Sequence, residues 1–318
     1  LLLSLLYLLT SFAYKPFFKG VVIVFLGQIA QNQNHKEEGI NMDKQQIFAD
    51  INARLISSLE QGKLIWRQPW RAGVPSNYVT GHIYQGMNFL LLSFDQVPSP
   101  YYLTFLQVQQ KKLRLKKGSK GRQITFYKTL DISEKMQSGE IKSKAVPYLK
   151  FSHVFNLSDL ENYEIPQPSL KVPQDILNNI IATHSPEMRA NLSRCYYSAE
   201  ENCISVPNVS AFINEEEYFC SVFHELVHWS GHATRLNRNA GITKKDKNEY
   251  AFEELVAEIG ASYLLGLCGI QNTLDNTAAY LEHWLKLAKA DNSYILSASV
   301  QAQKAVNYLL TTKNEEAA

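Results

Sequence analysis

The sequence predicts an α+β protein in two parts, a small α+β domain followed by a mainly helical one. Three observations predict it. Stretches rich in β-branched and aromatic residues concentrate in the first half, whereas apolar residues at helical spacing dominate the second. Between them "ENYEIPQPSLKVPQD" has three prolines and reads as a linker. The charge also divides there: residues 43–157 hold 17 Lys and Arg against 7 Asp and Glu, and residues 158–318 hold 12 against 21, although the whole chain is only +2. We therefore expect a basic domain over 43–157, a linker over 158–172 and a second domain over 173–318.

A chain of 318 residues, 45% apolar and 19% charged, can bury two cores and does not have the composition of a disordered protein. It opens with "LLLSLLYLLTSFAYKPFFKGVVIVFLGQIA", but Lys15, Pro16 and Lys19 divide this apolar run into pieces too short to span a bilayer. The first methionine is Met42, directly before an abrupt helical pattern, so residues 1–41 are expected to lie upstream of the true start. No stable membrane association is expected. The four cysteines form no CxxC pair, which points to a reducing, cytoplasmic setting.

From Gln45 to Gly62 the residues Ile47, Ile51, Leu55, Ile56 and Leu59 recur at helical spacing. "WRQPWRAG" turns the chain, "GHIYQGMNFLLLSF" alternates and then becomes continuously apolar, and "GRQITFYK" and "LKFSHVFNL" have strand composition, ending the first domain near Leu157. Past the linker, Gln174–His184 and Ser185–Leu192 are expected to be helical. "CYYSAEENCISVPN" reads as a short hairpin, with "CISVPN" either a candidate edge strand for an extended peptide or, equally, plain scaffold, and the remainder is mainly helix. There is no internal repeat.

The chemistry concentrates in "HELVHWSGH". Phe219, Val222, Phe223, Leu226 and Val227 give this segment an apolar helical face, so His224 and His228, four residues apart, become neighbours able to hold one metal ion. Neutral imidazoles suit Zn2+, which lowers the pKa of a bound water, and Glu225 is placed to take that water's proton as a carbonyl is attacked. His232 lies about 12 Å from His224 along a straight helix, too far to share the ion. A metzincin would need a histidine where Thr234 stands and a later Met-turn, whereas the last methionine is Met188. The better third ligand is in "YAFEELVAEIGASYLL", where Glu254, Ala257, Glu258, Ala261 and Leu265 share a stripe whose small residues permit close approach of a second helix. Glu254 is assigned as ligand and Glu258 as the partner behind a histidine, the reverse remaining open, with Glu253 off the stripe.

The basic half carries "KKLRLKKGSKGRQITFYK". Lys111, Lys112, Arg114, Lys116, Lys117, Lys120 and Arg122, with Tyr127 and Phe126 nearby, suit single-stranded DNA, where cations follow phosphates and rings stack on bases. Trp66, Arg67 and Trp70 are placed in the same interface, and Tyr78, Tyr84, Tyr101 and Tyr102 could extend its stacking surface. No reading helix for duplex DNA is recognisable.

The stretches "LEQGKLIWRQPW", "PSNYVTGHIYQGMNFLLLS", "YYLTF", "LKKGSKGRQITFYK" and "FSHVFNLSDLEN", followed by "YYSAEENCISVPN", "FHELVHWSGHATRLNR" and "YAFEELVAEIGASYL", cover most of residues 43–265 in order. On these the chain resembles the ArdC-type antirestriction proteins of plasmids and mobile elements, whose amino-terminal domain is also similar to that of TraC-type conjugative primases. The resemblance implies a single-stranded-DNA-binding domain followed by a zincin-like metallopeptidase domain, protecting incoming DNA from restriction. Residues 1–41 have no counterpart, and the tail after Leu265 matches only loosely. The expectation is an antirestriction protein with a zinc-dependent peptidase acting on a protein or peptide substrate. The alternative is a DNA-protecting binding protein whose metal site is structural.

Overall fold

The computed structural model describes residues 44–64, 66, 73–94, 97–135, 141–191, 194–238, 246–272 and 277–312, without side-chain detail at 44–48, 127–150 and 277–279. The expectations for residues 1–41, Arg67 and Trp70 lie outside these residues, as does that for the Tyr127 side chain. Among the described residues no helix is long and apolar enough to cross a membrane.

Helix α1 (Lys44–Glu60) buries Ile51, Leu55 and Leu59, the stripe its spacing predicts. Strand β1 (Ser76–Asn77), helix α2 (Met87–Ser93), strand β2 (Tyr101–Thr104) and helix α3 (Phe105–Gln110) follow. The long strands β3 (Arg122–Lys135) and β4 (Ile141–Asn156) then pair antiparallel from Arg122 opposite Val154 to Lys135 opposite Ile141. The sheet order is β1-β2-β4-β3, with β1 parallel to β2. The apolar run "MNFLLLS" is α2, a helix buried at Phe89, Leu90, Leu91, Leu92 and Ser93. Thr104 starts α3 with a capping box: its hydroxyl accepts from Gln107 N while Gln107 Oε1 accepts from Thr104 N.

The second half begins with α4 (Pro173–His184), whose proline occupies the first turn, where no N–H is needed. Of residues 185–192, expected to be helical, Glu187–Asn191 instead form strand β5. The reason is local: Ser185 takes φ 49° and ψ 50°, a left-handed cap that stops α4. Strands β6 (Tyr196–Ser198) and β7 (Cys203–Pro207) form the predicted hairpin in a sheet of order β5-β7-β6. Thus "CISVP" is central, with every residue buried, and cannot receive a peptide at an edge; the edges belong to β5 and β6. Among the described residues four α-helices follow: α5 (Glu215–Ser230), α6 (Lys247–Leu267), α7 (Thr277–Ala290) and α8 (Tyr294–Leu310).

Residues Asp50–Ala318 form one compact unit. Asn52 donates to the Ala288 carbonyl at 2.7 Å, Trp66 meets Trp284 edge-on with centroids 6.0 Å apart, and Phe89 meets Tyr263 at 5.2 Å. Trp284 anchors the junction further by donating to the Ala251 carbonyl at 2.7 Å. No disulfide joins the four cysteines.

Candidate metal centre and basic face

Asn214 caps α5 by accepting from Glu217 N at 2.8 Å, and Glu215, Glu216 and Glu217 place negative charge at its positive end. Gly231 ends the helix, as its sequence position predicts. Along α5 the face of Val222, Phe223, Leu226 and Val227 is fully buried, which carries His224 and His228 against α6. The two helices touch closely because α6 has Gly260 at the contact: a Cβ there would stand 2.9 Å from Val227 Cγ2.

That approach brings His224, His228 and Glu254 together, one ligand atom from each lying within 4.8 Å of the others. The two Nε2 atoms face one another at 3.1 Å, and Glu254 lies 3.5 Å from His224 Nε2 and 3.7 Å from His228 Nε2. Two imidazole lone pairs at that distance repel unless a cation or a proton lies between them. Burial opposes charge on His224, but the carboxylates of Glu254, Glu225 and Glu258 outweigh it and hold its pKa up at about 9. Burial likewise opposes ionisation of Glu254, yet its bond to His224 and the neighbouring His228 pull it down to about 2. The donor set, two nitrogens and one carboxylate around a focus of negative potential, fits a divalent ion.

The carboxylate behind His228 is Glu253, which corrects the expectation for Glu258. Glu253 Oε1 lies 3.1 Å from His228 Nδ1, and the Arg238 guanidinium grips both Glu253 oxygens at 2.7 and 2.8 Å. A carboxylate there keeps the proton on Nδ1 and leaves Nε2 its lone pair. Glu258 is buried, accepts from Asn272 Nδ2 at 3.2 Å and adds negative potential near His224. Glu253 was missed because stripes describe one helix, while its position is set by how two helices cross; "RLNR" following the motif was the available signal.

Glu225 lies beside the histidines, half-buried. Its Oε2 accepts from the Tyr197 backbone N–H at 2.7 Å, which ties edge strand β6 to α5 and leaves Oε1 for another partner. Burial raises its pKa despite the two histidines and this bond. His232, excluded as a ligand, is half-buried and pairs with Thr234.

The basic segment is a surface loop. Lys111, Lys112, Arg114, Lys116, Lys117 and Lys120 are all exposed, and the loop is pinned by Lys116 N to the Asp159 carbonyl at 2.8 Å and Glu161 N to the Arg114 carbonyl at 2.9 Å. Arg122 pairs with Asp159 and so tethers this loop. Next to Lys120 a groove of about 650 Å³ is lined by Arg54, Phe94, Lys120, Arg122, Gln123 and His153 among others, with the Arg54 guanidinium 4.4 Å over the Phe94 ring. Phe126 and Phe105 are exposed. The tryptophan expectation is corrected at Trp66, which has no exposed surface and belongs to the core. Tyr84 and Tyr102 are core as well, and Tyr78 packs edge-on against Tyr101 and Tyr163. None of Trp66, Tyr84 and Tyr102 can stack on a base; the fold consumes them first.

Residues 45–155 match the model of the N-terminal domain of anti-restriction factor ArdC, and residues 175–301 match a zincin-like metallopeptidase model. Two Escherichia coli proteins named DNA primase TraC are 26% and 25% identical over 86% and 87% of this chain, which spans only 28% and 21% of their length. A Sinorhizobium fredii protein, y4eC, is 24% identical over 83% of this chain and 91% of its own. The crystal structure of antirestriction ArdC protein from the R388 plasmid, metal-free, superposes with a TM-score of 0.70 at 30% identity, covering 85% of this chain and 97% of that one. Its Mn(II)-bound form gives 0.67, covering 82% and 96%. With an ArdC amino-terminal domain ahead of a zincin-like domain, and with a relative of that identity covered almost end to end, the chain belongs to the family of ArdC antirestriction proteins.

Proposed function

We propose that this chain binds single-stranded DNA through its basic face and hydrolyses a peptide bond in a protein substrate at a divalent-metal site, protecting incoming DNA from restriction in the cytoplasm. The observation that carries the reading is the convergence of His224, His228 and Glu254 with Glu225 beside them. His224 Nε2, His228 Nε2 and a Glu254 oxygen would hold the ion, with Zn2+ favoured by two nitrogens and one carboxylate. When bound, the ion supplies Lewis acidity and lowers the pKa of its water.

The chain's own residues do the rest. Glu225, held by the Tyr197 N–H through Oε2, takes a proton at Oε1 from the attacking water and returns it to the amine as the peptide C–N bond breaks. Burial raises its pKa and so makes it a stronger proton acceptor. Glu253 holds His228 in the tautomer that offers Nε2. On the basic face, six exposed cations and the groove of Arg54, Lys120 and His153 offer charge along a strand of phosphates, and Phe126 and Phe105 offer faces for bases.

The alternative, a metal that only staples the fold, is weakened because metal-free and Mn(II)-bound forms of the R388 relative superpose on this chain almost equally. Metal content per chain tests the reading. About one zinc in wild type, lost in both His224→Ala and Glu254→Ala, is expected; a metal-free wild type in a zinc-containing buffer would leave DNA binding as the whole function.

A further inference from the structure

Seven residues after the metal-site helix, His232–Arg238, supply no candidate ligand, yet two arginines among them reach both halves of the site. Arg238 is buried and bonds Glu253 with two nitrogens, as described, while its Nη2 also donates to the Val227 carbonyl at 2.7 Å. It therefore ties the C-terminal turn of α5 to the acid behind His228. Arg235 takes the opposite direction. Its guanidinium lies 3.7 Å over the Trp229 ring, its Nε donates to the Trp229 carbonyl at 2.6 Å, and its Nη2 donates to Asn202 Oδ1 at 2.6 Å. Asn202 occupies the β6–β7 turn at φ 52°, and its Oδ1 also accepts from the Tyr197 hydroxyl at 3.3 Å. Tyr197 is the residue whose backbone N–H holds Glu225.

We propose that this turn is a two-armed positioning device: Arg238, through Glu253, sets the metal affinity of His228, and Arg235, through Asn202 and Tyr197, sets the placement of Glu225. The proposal rests on the reading of His224, His228 and Glu254 as a metal site and of Glu225 as its base. The two arms share a segment but not a hydrogen bond, so they are separable. Both need arginine: a lysine keeps the charge but can neither grip two carboxylate oxygens in a planar fork nor stack flat on an indole while bonding a side chain beyond it.

The test uses the whole chain and Mn2+ as the probe, followed by electron paramagnetic resonance, together with amide hydrogen exchange at Tyr197. Glu253→Gln is expected to weaken Mn2+ binding about 10- to 100-fold, with Arg238→Lys moving the same way, while Tyr197 exchange stays at the wild-type rate. Arg235→Lys is expected to speed exchange at Tyr197 about tenfold and to leave Mn2+ affinity within about twofold. In the metal-free protein, Glu253→Ala is expected to add the Nε2–H tautomer of His228 to ring-nitrogen spectra in which wild type shows Nδ1–H. Circular dichroism on each variant confirms that it is folded, and the lysine and glutamine variants serve where alanine disrupts folding. If wild type binds Mn2+ and the Arg238 and Glu253 variants bind it equally well, or if every variant shifts both readouts together, the two-armed device is refuted while the metal site stands. If wild type binds no Mn2+, the metal reading falls and the proposal with it.

Discussion

Half-buried Glu225 and buried Glu254 lie beside the same two histidines, and their pKa values are pushed in opposite directions: burial raises that of Glu225, while the bond to His224 pulls that of Glu254 down to about 2. An acid that exchanges protons and one that stays charged are what a base and a ligand require. Glu225→Gln should therefore keep the metal and lower proteolysis about 100- to 10,000-fold, whereas Glu254→Ala should lose both, measured by metal analysis and peptide cleavage on the same preparations. At this scale the sequence was legible where spacing within one helix decides the outcome: His224 and His228, four residues apart on α5, bring their Nε2 atoms together. It was not legible where two helices and a turn must meet in space, as Glu253 and Arg238 do. Trp66 was misread for a related reason, since a tryptophan beside basic residues reads equally as a stacking ring or a core plug, and only its partner Trp284, more than two hundred residues away, decides.

Helix α6 illustrates the same division. Its alternation of acids and small residues foretold a close partner, but the contact itself falls on Gly260 against Val227. Gly260→Val should destabilise the protein by about 1–3 kcal/mol and weaken metal binding by parting the two ligand-bearing helices. Val227→Ala in the same chain should restore part of both, as read by denaturant midpoint and metal titration. Elsewhere, local rules succeeded at helix ends and at the β6–β7 hairpin and failed at β5. Residues 185–192 have a composition open to either state, and what excludes helix is the left-handed Ser185 together with pairing of β5 to β7, a partner reached only through the fold. "CISVP" was placed at an edge because its own pattern says only that it is apolar; that it is central follows from neighbours on both sides.

Across the molecule, the charge division falls between the two matched family regions, but it did not foresee the packing of residues 50–318 as one unit. Trp284 lies at the seam between segments belonging to the two matched family regions, and Trp284→Ala should cost about 3–5 kcal/mol. Because the seam is shared, calorimetry should show one unfolding transition in wild type and a lowered or divided one in the variant. The basic face predicts a separate phenotype. Replacing Lys116, Lys117 and Lys120 with glutamine should reduce the salt dependence of single-stranded DNA binding by about 2 in the log–log slope, measured by fluorescence anisotropy, with metal content unchanged.

The bond between Tyr197 and Glu225 is donated by main chain, and that hides it from the usual genetics. Replacing Tyr197 with alanine, or with any other residue that keeps its amide hydrogen, leaves the donor in place. A scan of side chains would therefore report the loss of the hydroxyl bond to Asn202 but never the loss of this donor. Only proline removes the hydrogen, so in a deep mutational map of the hairpin proline at Tyr197 should fall well below every other substitution there, with phenylalanine isolating the smaller cost of the lost hydroxyl bond to Asn202.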